Sequence, residues 1–541
     1  MITLAHESVV TKGAAKQNTT LQAAIDPVVK WILPIVAGLL IILLALRLTD
    51  FYYKYAWASA HFATIARSFA THGIIGLRGI PIENFDPVTA EPDNYLHWPP
   101  FFFYALSLVL DLFPSSIRAM HLFMAAIALA TAFVMWKVAS IFFKPRAAIV
   151  CTSAFLLMPA TLRYGLVLLP VNLAVLEVSA TLLFMLRYLQ STDKGRERTR
   201  NLGLSAFALY MACVTSWEAF LVPPGLLLAY AFDRRPAVLK TFFCWTFAAM
   251  AAGASIFTLY SLSDPTFFRD LWSTFTFRAG LTQYLPLVER VHPVEGTAGT
   301  VSGFNALSPY VFAAAYIART QEFAGSLGIL GIFVLLLKAF GPARSPPNKL
   351  FALLMLPLCT FWLGWAIIMQ QHYVVHEYQM VLATPILAIA IAGLYSLLEK
   401  SPNPSQESWL RANLLLLANL VLPFALLLSG VLAAWTTIAG ENDPKLMANL
   451  GRRIQSEVPA GAVVITNESS MVTTYYAERH VLRGMIDMTY LENHLTSIRG
   501  LCPSCPLYFA LQRESEYKFS DALLHMQPVF EDDRVLIKIL K

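Results

Sequence analysis

The chain has 541 residues, of which 57% are hydrophobic and 14% are charged, and its formal net charge at pH 7 is +6. A soluble protein carries roughly a quarter charged residues, so this composition, with a mean hydropathy of +0.57, excludes an ordinary soluble protein. Long uncharged apolar runs recur along the chain and predict a polytopic α-helical membrane protein. The small positive charge is spread over loops, which favours the positive-inside bias of a membrane protein over nucleic-acid binding.

The chain begins with a polar segment, residues 1–27, that lacks the apolar core of a cleavable signal peptide. Lysines precede the first apolar run, residues 28–48, so its N-terminal side is predicted to be cytosolic. That run delivers Asp50 to the outer surface, where residues 49–116 form a long first outer loop. The first half of the loop predicts an amphipathic helix that ends at Gly73.

The loop closes with an apolar segment, Pro99 to Phe113, that is too short to cross a membrane. Fifteen residues make about 22 Å of helix, whereas a bilayer core is about 30 Å thick. The basic residues Lys137, Lys144 and Arg146 place the next connection in the cytosol. The segment therefore begins and ends outside, and we expect a half-buried interfacial helix.

The remaining apolar runs keep this alternation and give eleven predicted spans, with the N-terminus inside and the C-terminus outside. The basic loop at 191–201 is predicted to be cytosolic. The predicted spans are residues 28–48, 117–136, 147–162, 172–190, 202–217, 219–232, 239–260, 323–340, 349–369, 378–398 and 413–435.

The composition changes at about residue 441. The stretches "GAVVITN", "PLYFAL" and "RVLIKIL" are typical of strands, whereas "DPKLMANLGRRIQSEV" and "EYKFSDALLHM" are typical of helices. Residues 28–440 are therefore predicted to form a transmembrane domain, and residues 441–541 a small α/β domain outside the membrane. In this tail Cys502 and Cys505 are too few for a structural zinc site, so we expect either a local disulfide or two free thiols.

Polar residues that are far apart in sequence are predicted to meet on the outer face. They form four groups: Asp50; Glu91, Asp93 and His97 with Trp98; Arg163 to Asn172; and His372, His376, Glu377 and Tyr378. Taken singly, Asp50 can be a solvated helix end, and the fourth group an interfacial belt of His and Tyr side chains. Few charged residues lie deep in the spans, chiefly Glu177 and Glu218. Because coupled transporters keep ionisable groups near mid-membrane, this scarcity favours chemistry at the outer surface.

The order of these motifs resembles the GT-C superfamily of membrane glycosyltransferases, which includes the protein O-mannosyltransferases and the aminoarabinose transferase that modifies lipid A. The resemblance covers roughly residues 28–400. It depends on Asp50 just after the first span, on "HWPPFF" (His97 to Phe102), on Arg118 at the start of the next span, and on "HEYQMVLATP" (His376 to Pro385).

The resemblance implies a polyprenyl-phosphate sugar as donor, a lipid, glycan or protein as acceptor, and a site on the outer face of the cytoplasmic membrane. Asp50 is then the expected general base of an inverting transfer. The expected substrate-binding residues are Glu91, Asp93, His97, Arg163, His372, His376 and Tyr378.

The sequence departs from the GT-C pattern at two places. Asp50 is followed by Phe51 rather than by a second acidic residue, and Asn172 stands where relatives carry a carboxylate. We therefore expect no obligatory divalent metal and no tightly bound cofactor. Two other functions stay open: a lipid or glycan transporter or flippase, and a non-catalytic protein of envelope assembly. Vectorial movement that survives Asp50→Asn would indicate the former, and binding without turnover the latter.

Overall fold

The computed structural model describes the chain with gaps. The described residues are 31–51, 55–84, 93–191, 195–279, 324–335, 346–369, 372, 376–399, 409–438, 443–466, 471–482, 505–512, 528–531 and 535–540.

Most of the described residues are helical. The apolar runs are too long for strands, and a helix pairs the backbone N–H and C=O groups of each run within the run itself. The helices up to residue 440 are α1 (Leu33–Arg47), α2 (Ala56–His72), α3 (Phe101–Leu112), α4 (Ile117–Phe142), α5 (Pro145–Leu157), α6 (Pro159–Tyr164), α7 (Pro170–Gln190), α8 (Arg196–Thr215), α9 (Val222–Tyr230), α10 (Pro236–Ser261), α11 (Phe267–Arg278), α12 (Ala324–Leu335), α13 (Pro346–Cys359), α14 (Trp365–Ile368), α15 (Thr384–Glu399) and α16 (Trp409–Ile438).

Six helical stretches in the described residues are long and apolar enough to cross a bilayer: 117–142, 170–190, 236–261, 349–368, 377–397 and 421–438. The prediction of a multi-pass α-helical membrane protein is therefore confirmed, while the number eleven stays a prediction. Four shorter apolar helices accompany them, among them α1 and α3. The twelve residues of α3 fit the interfacial position predicted for the segment after Pro99.

Prolines and caps set several helix boundaries. α5, α6, α7 and α10 each begin at a proline, which lacks the N–H that the first turn of a helix leaves unpaired. The predicted span 147–162 is consequently divided at Met158, because Pro159 starts a new helix. α2 ends at Gly73, whose φ of 76° suits glycine, and this confirms the predicted end of the loop helix.

A short antiparallel strand pair precedes the "HWPP" turn, and the sequence analysis did not predict it. β1 (Ile82–Asn84) pairs with β2 (Asp93–Asn94). On α2, the Nε2 atom of His61 lies 3.0 Å from the carboxylate of Glu83 on β1. This contact holds the strand pair against α2.

From residue 443 onward the described residues form a five-stranded mixed sheet with two helices, hereafter the C-terminal unit. Its elements are α17 (Asp443–Glu457), β3 (Val463–Thr466), α18 (Met471–Ala477), β4 (His480–Leu482), β5 (Leu507–Gln512), β6 (Pro528–Glu531) and β7 (Val535–Leu540). The strand order is β4-β3-β5-β7-β6, parallel across the first three strands and antiparallel across the last three. Leu450, Ile454, Val464 and Ile537 belong to its separate hydrophobic core.

The strands lie where the three β-like stretches predicted them. Cys505 is disulfide-bonded, which fits the expected local disulfide, whereas Cys502 lies outside the described residues. The second predicted helix, "EYKFSDALLHM", also lies outside them.

The C-terminal unit packs through α18 on Phe51 and on α2. Arg67 on α2 donates from Nη1 to the backbone oxygen of Tyr475 at 2.9 Å and pairs with Glu478 at 3.3 Å. Its guanidinium also lies 4.5 Å from the centre of the Tyr475 ring. Phe51 meets that ring edge-on at 4.9 Å. Cation–π, ionic and aromatic contacts therefore join the two parts of the chain.

A close helix crossing at Gly225 on α9 gives a test of the packing. A Cβ atom there would lie 2.5 Å from Pro357 Cα and 2.7 Å from Leu356 O on α13. Gly225→Ala should destabilise the protein by about 1–3 kcal/mol, because backbone atoms must move. Gly203→Ala on α8 is the matched control: nothing lies within 4 Å of that Cβ, and alanine favours helix. Thermal unfolding in detergent measures both, and equal melting temperatures would contradict the tight crossing.

Candidate functional site

A chain of hydrogen bonds around a buried carboxylate organises the first part of the site. Glu218 is fully buried on the 3-10 turn Trp217–Leu221 between α8 and α9. Its Oε2 accepts a short hydrogen bond from the Ser216 hydroxyl, and its Oε1 accepts from Gln379 Nε2 at 3.2 Å. Buried carboxylates require such partners. Glu218 thereby fixes the position of Gln379.

Gln379 in turn sets the state of His372. Its Nε2 lies 3.0 Å from His372 Nε2. With the amide oriented so that its nitrogen faces Glu218, the amide can only donate to the ring. His372 Nε2 is then the acceptor, and the neutral ring carries its proton on Nδ1.

Aromatic rings surround the two histidines. The backbone N–H of His376 donates to His372 O at 2.9 Å, and the two ring centres lie 4.4 Å apart. The 3-10 helix that follows, Glu377–Ala383, buries Tyr378, whose ring centre lies 5.1 Å from that of His376. The remaining rings lie 5.2 to 6.5 Å from one of these three side chains: Tyr55, Trp57, Trp98 and Trp365.

Two polar atoms beside His372 are buried without a hydrogen-bond partner in the described part of the chain. They are Trp365 Nε1, a donor, and Gln379 Oε1, an acceptor. Buried polar groups are normally paired in proteins. These two atoms are therefore available to a polar ligand or to water.

Arg278, the last residue of α11, supplies the positive charge. It forms no ion pair with a carboxylate in the residues that the structure describes. Burial, and then the charge of Arg278, lowers the pKa of His376 to about 3 and holds the pKa of His372 well below its usual range. Both rings are thus neutral near pH 7 and act as hydrogen-bonding groups, while Arg278 is the cation.

The "HWPP" turn is held against this cluster by its backbone. Trp217 Nε1 donates to His97 O at 2.8 Å, and the Tyr260 hydroxyl donates to Trp98 O at 2.5 Å. The His97 side chain is exposed, with its Nδ1 3.5 Å from Thr274 Oγ1 on α11. Trp98 therefore points inward to His372, and His97 outward toward α11.

Asp50 belongs to a second group, formed with the C-terminal unit. Its Oδ1 accepts a short ionic hydrogen bond from Arg452 Nη2 and a 2.7 Å bond from the Tyr476 hydroxyl. The side chains of Arg452 and Asp50 are 45% and 33% exposed. Such an accessible pair contributes only about 0–1 kcal/mol to stability. The group's importance therefore lies in how it orients Asp50.

The described structure brings some of the predicted site residues together and separates others. His372, His376 and Tyr378 form one cluster, with His97 at its edge, and Asp50 lies in the other. Asp93 pairs by its backbone in β2, and Glu91 lies outside the described residues.

Arg163 lies in the last turn of α6, next to Tyr164, which ends this helix and links it to the site. The Tyr164 hydroxyl donates to Glu377 Oε2, and the Glu377 N–H donates to Tyr55 Oη, both at 2.8 Å. Asn172 has a local role: its Nδ2 donates to the backbone oxygens of Tyr164 and Val167 at 2.9 and 3.0 Å. It thereby shapes the connection into α7.

The sequence analysis missed Arg278, Gln379, Arg452 and Tyr476. Arg278 ends the aromatic-rich helix "FFRDLWSTFTFR" on a predicted outer segment, and Gln379 lies within the quoted "HEYQM" motif. Those signals could have drawn attention to both. Within the described residues, no three His, Cys, Asp or Glu side chains are arranged to hold a metal ion.

Comparisons with known proteins agree with this architecture. Residues 97–260 match the family model of the dolichyl-phosphate-mannose-protein mannosyltransferases. A search of curated protein sequences found no match.

Solved structures of low sequence identity share the fold. ArnT from Cupriavidus metallidurans bound to undecaprenyl phosphate has a TM-score of 0.60 at 16% identity, covering 94% of this chain and 97% of its own. The Archaeoglobus fulgidus oligosaccharyltransferase tethered with an acceptor peptide has a TM-score of 0.55 at 12% identity. The match covers 89% of this chain and 68% of the oligosaccharyltransferase chain. The resemblance to the GT-C superfamily is thereby confirmed, and the chain has the GT-C membrane fold.

The influence of Arg278 on the histidines can be measured. Removing its charge in Arg278→Gln should raise the pKa of His376, although not fully to 6.5, because burial is the larger cause of its depression. Titration of labelled histidine by NMR, with His376→Gln for assignment, gives both values. Arg269→Gln is the control on the same helix, since Arg269 is exposed and pairs with Asp270. An unchanged pKa in Arg278→Gln would contradict the proximity of the two residues.

Proposed function

We propose that this protein is a membrane glycosyltransferase that transfers a sugar from a polyprenyl-phosphate donor to an acceptor hydroxyl on the outer face of the cytoplasmic membrane. The observation that carries the proposal is Arg278, a cation without a carboxylate partner among the described residues. It lies within electrostatic reach of the neutral rings of His372 and His376. The shared fold with ArnT bound to undecaprenyl phosphate supports the same donor class.

The phosphate of the donor would bind Arg278. A guanidinium binds phosphate oxygens through two parallel charge-assisted hydrogen bonds, which fix orientation as well as charge. His372, His376 and the Tyr378 hydroxyl would add neutral hydrogen bonds, with His97 and Arg163 at the periphery. The apolar tail would lie between the spans, where lipid is accessible.

The sugar would lie beside the aromatic rings that surround His372 and His376, which offer stacking surfaces. Its hydroxyls would supply the polar partners that the buried Trp365 Nε1 and Gln379 Oε1 need. Glu91 and Asp93 are proposed to bind sugar hydroxyls from the loop side. Glu218 would not touch the substrate. Its role is to hold Gln379 in place.

Asp50 would serve as the general base. Its carboxylate takes the proton of the acceptor hydroxyl, the hydroxyl oxygen bonds to the anomeric carbon from the face opposite the phosphate, and the carbon–phosphate oxygen bond breaks. The products are the glycosylated acceptor and polyprenyl phosphate, and the anomeric configuration is inverted. No metal ion is required in this scheme.

The first test is donor-dependent turnover. Purified protein is incubated with candidate polyprenyl-phosphate sugars, and products are identified by mass spectrometry. Asp50→Asn should lower kcat by about 10² to 10⁴, the usual contribution of a general base, while donor binding is nearly unchanged. The kcat values of Glu91→Gln and Asp93→Asn are measured in parallel. Wild-type turnover in Asp50→Asn would transfer the role of base to one of those carboxylates. Donor movement across vesicles without product would instead indicate a flippase.

The second test separates the phosphate site from the chemistry. Arg278→Gln should weaken binding of undecaprenyl phosphate by about 10- to 100-fold, because a charge-assisted hydrogen bond is worth roughly 1.5–3 kcal/mol. Native mass spectrometry or a fluorescence titration in detergent measures the Kd. Arg269→Gln should bind like wild type. Equal affinity of Arg278→Gln and wild type would show that the phosphate is bound elsewhere.

A further inference from the structure

The carboxylate of Asp50 is held by the C-terminal unit, far away in the sequence. Its two hydrogen-bond donors among the described residues are Arg452 on α17, 402 residues away, and Tyr476 on α18, 426 residues away. The guanidinium of Arg452 also lies 4.5 Å from the centre of the Tyr476 ring. The two donors therefore form one preassembled pair on the surface of the C-terminal unit.

Other contacts hold that unit in place. Arg67, Tyr475 and Glu478 join α2 to α18, and Phe51 packs edge-on against Tyr475. The ionic contact of Asp50 is partly exposed to solvent and weakly stabilising. The C-terminal unit can therefore dock without Arg452 or the Tyr476 hydroxyl, so the contacts of these two groups with Asp50 need another explanation.

Both donors contact the same oxygen of the carboxylate. Oδ1 accepts from Arg452 and from Tyr476, whereas Oδ2 has no hydrogen-bond donor among the residues that the structure describes. Because the two donors lie on different helices, they restrict the carboxylate of Asp50 to a single orientation. A catalytic group held in this way loses no further freedom when the substrate binds.

We propose that Arg452 and Tyr476 are positioning residues, through which the C-terminal unit orients Asp50 so that Oδ2 receives the proton of the acceptor hydroxyl. This inference rests on the proposed function, in which Asp50 is the base. It makes the C-terminal unit part of the catalytic site rather than only a boundary of the acceptor path.

Neighbouring tyrosines on α18 supply a matched pair of variants. Tyr476→Phe removes the hydroxyl that contacts Asp50 and keeps the ring that packs at 5.9 Å on Phe51. Tyr475→Phe removes a buried hydroxyl that has no hydrogen-bond partner in the described structure. Tyr476→Phe should lower kcat by about 10- to 100-fold, as expected for a misplaced catalytic group, with the KM for the donor unchanged. Tyr475→Phe should keep the wild-type kcat.

Two substitutions of Arg452 separate the effect of its charge from the effect of its planar shape. Arg452→Ala should lower kcat at least as much as Tyr476→Phe does. Arg452→Lys keeps the charge and should restore part of the rate, but it lacks the planar fork of the guanidinium. Melting temperatures are recorded for every variant, and those of Tyr476→Phe and Tyr475→Phe should agree.

The Asp50→Asn background separates positioning from a structural role. If Tyr476 acts through Asp50, adding Tyr476→Phe to Asp50→Asn causes no further loss of kcat, because residues that act as a unit are not additive. A further loss, or a wild-type kcat in both Tyr476→Phe and Arg452→Ala, would overturn the inference while leaving the proposed function intact. Absence of a donor-dependent product from the wild-type protein would instead remove the proposed function.

Discussion

The buried carboxyl group of Glu218 is the constraint around which the histidine part of the site is arranged. A carboxylate with no solvent exposure must be hydrogen-bonded, and Ser216 and Gln379 meet that need. Gln379 then fixes His372, and the 3-10 helix that carries Gln379 also carries Tyr378. Trp217, in the same turn as Glu218, holds the "HWPP" turn from the other side. One buried carboxyl group thus connects three segments that are distant in sequence.

The part of the site at Asp50 depends on a different kind of interaction. Asp50 and Arg452 are partly exposed, so their attraction adds little stability. Their geometry is fixed because α18 is already docked on α2 by Arg67 and by packed aromatic rings. The helical part of the chain and the C-terminal unit consequently contribute separately: the former a cation beside neutral histidines, and the latter the two donors to a carboxylate. This division fits the proposed reaction, in which a lipid-linked donor meets an acceptor hydroxyl.

Local sequence pattern accounts for most of the fold. Apolar runs bounded by proline and by basic loops identify the helices, since these signals act within a few residues. Gly73 ends α2, and the three β-like stretches are strands, for the same reason. The division at Pro159 and the pairing of β1 with β2 were not predicted. Pro159 lies inside an otherwise continuous apolar run, which hides the helix boundary. β1 and β2 have only three and two residues, which is too short to show an alternating pattern.

The sequence by itself determined that this is a membrane protein, that it resembles GT-C enzymes, and that Asp50, His97, His372 and His376 are residues of interest. Only the tertiary structure decided which of them meet. It joined His372 and His376 to Arg278 and Glu218, and it joined Asp50 to Arg452 and Tyr476 across more than 400 residues. Motifs report residue types and local spacing, whereas the state of a titratable group depends on burial and on charges brought near by folding. The neutral histidines and the oriented carboxylate are therefore properties of the packed chain.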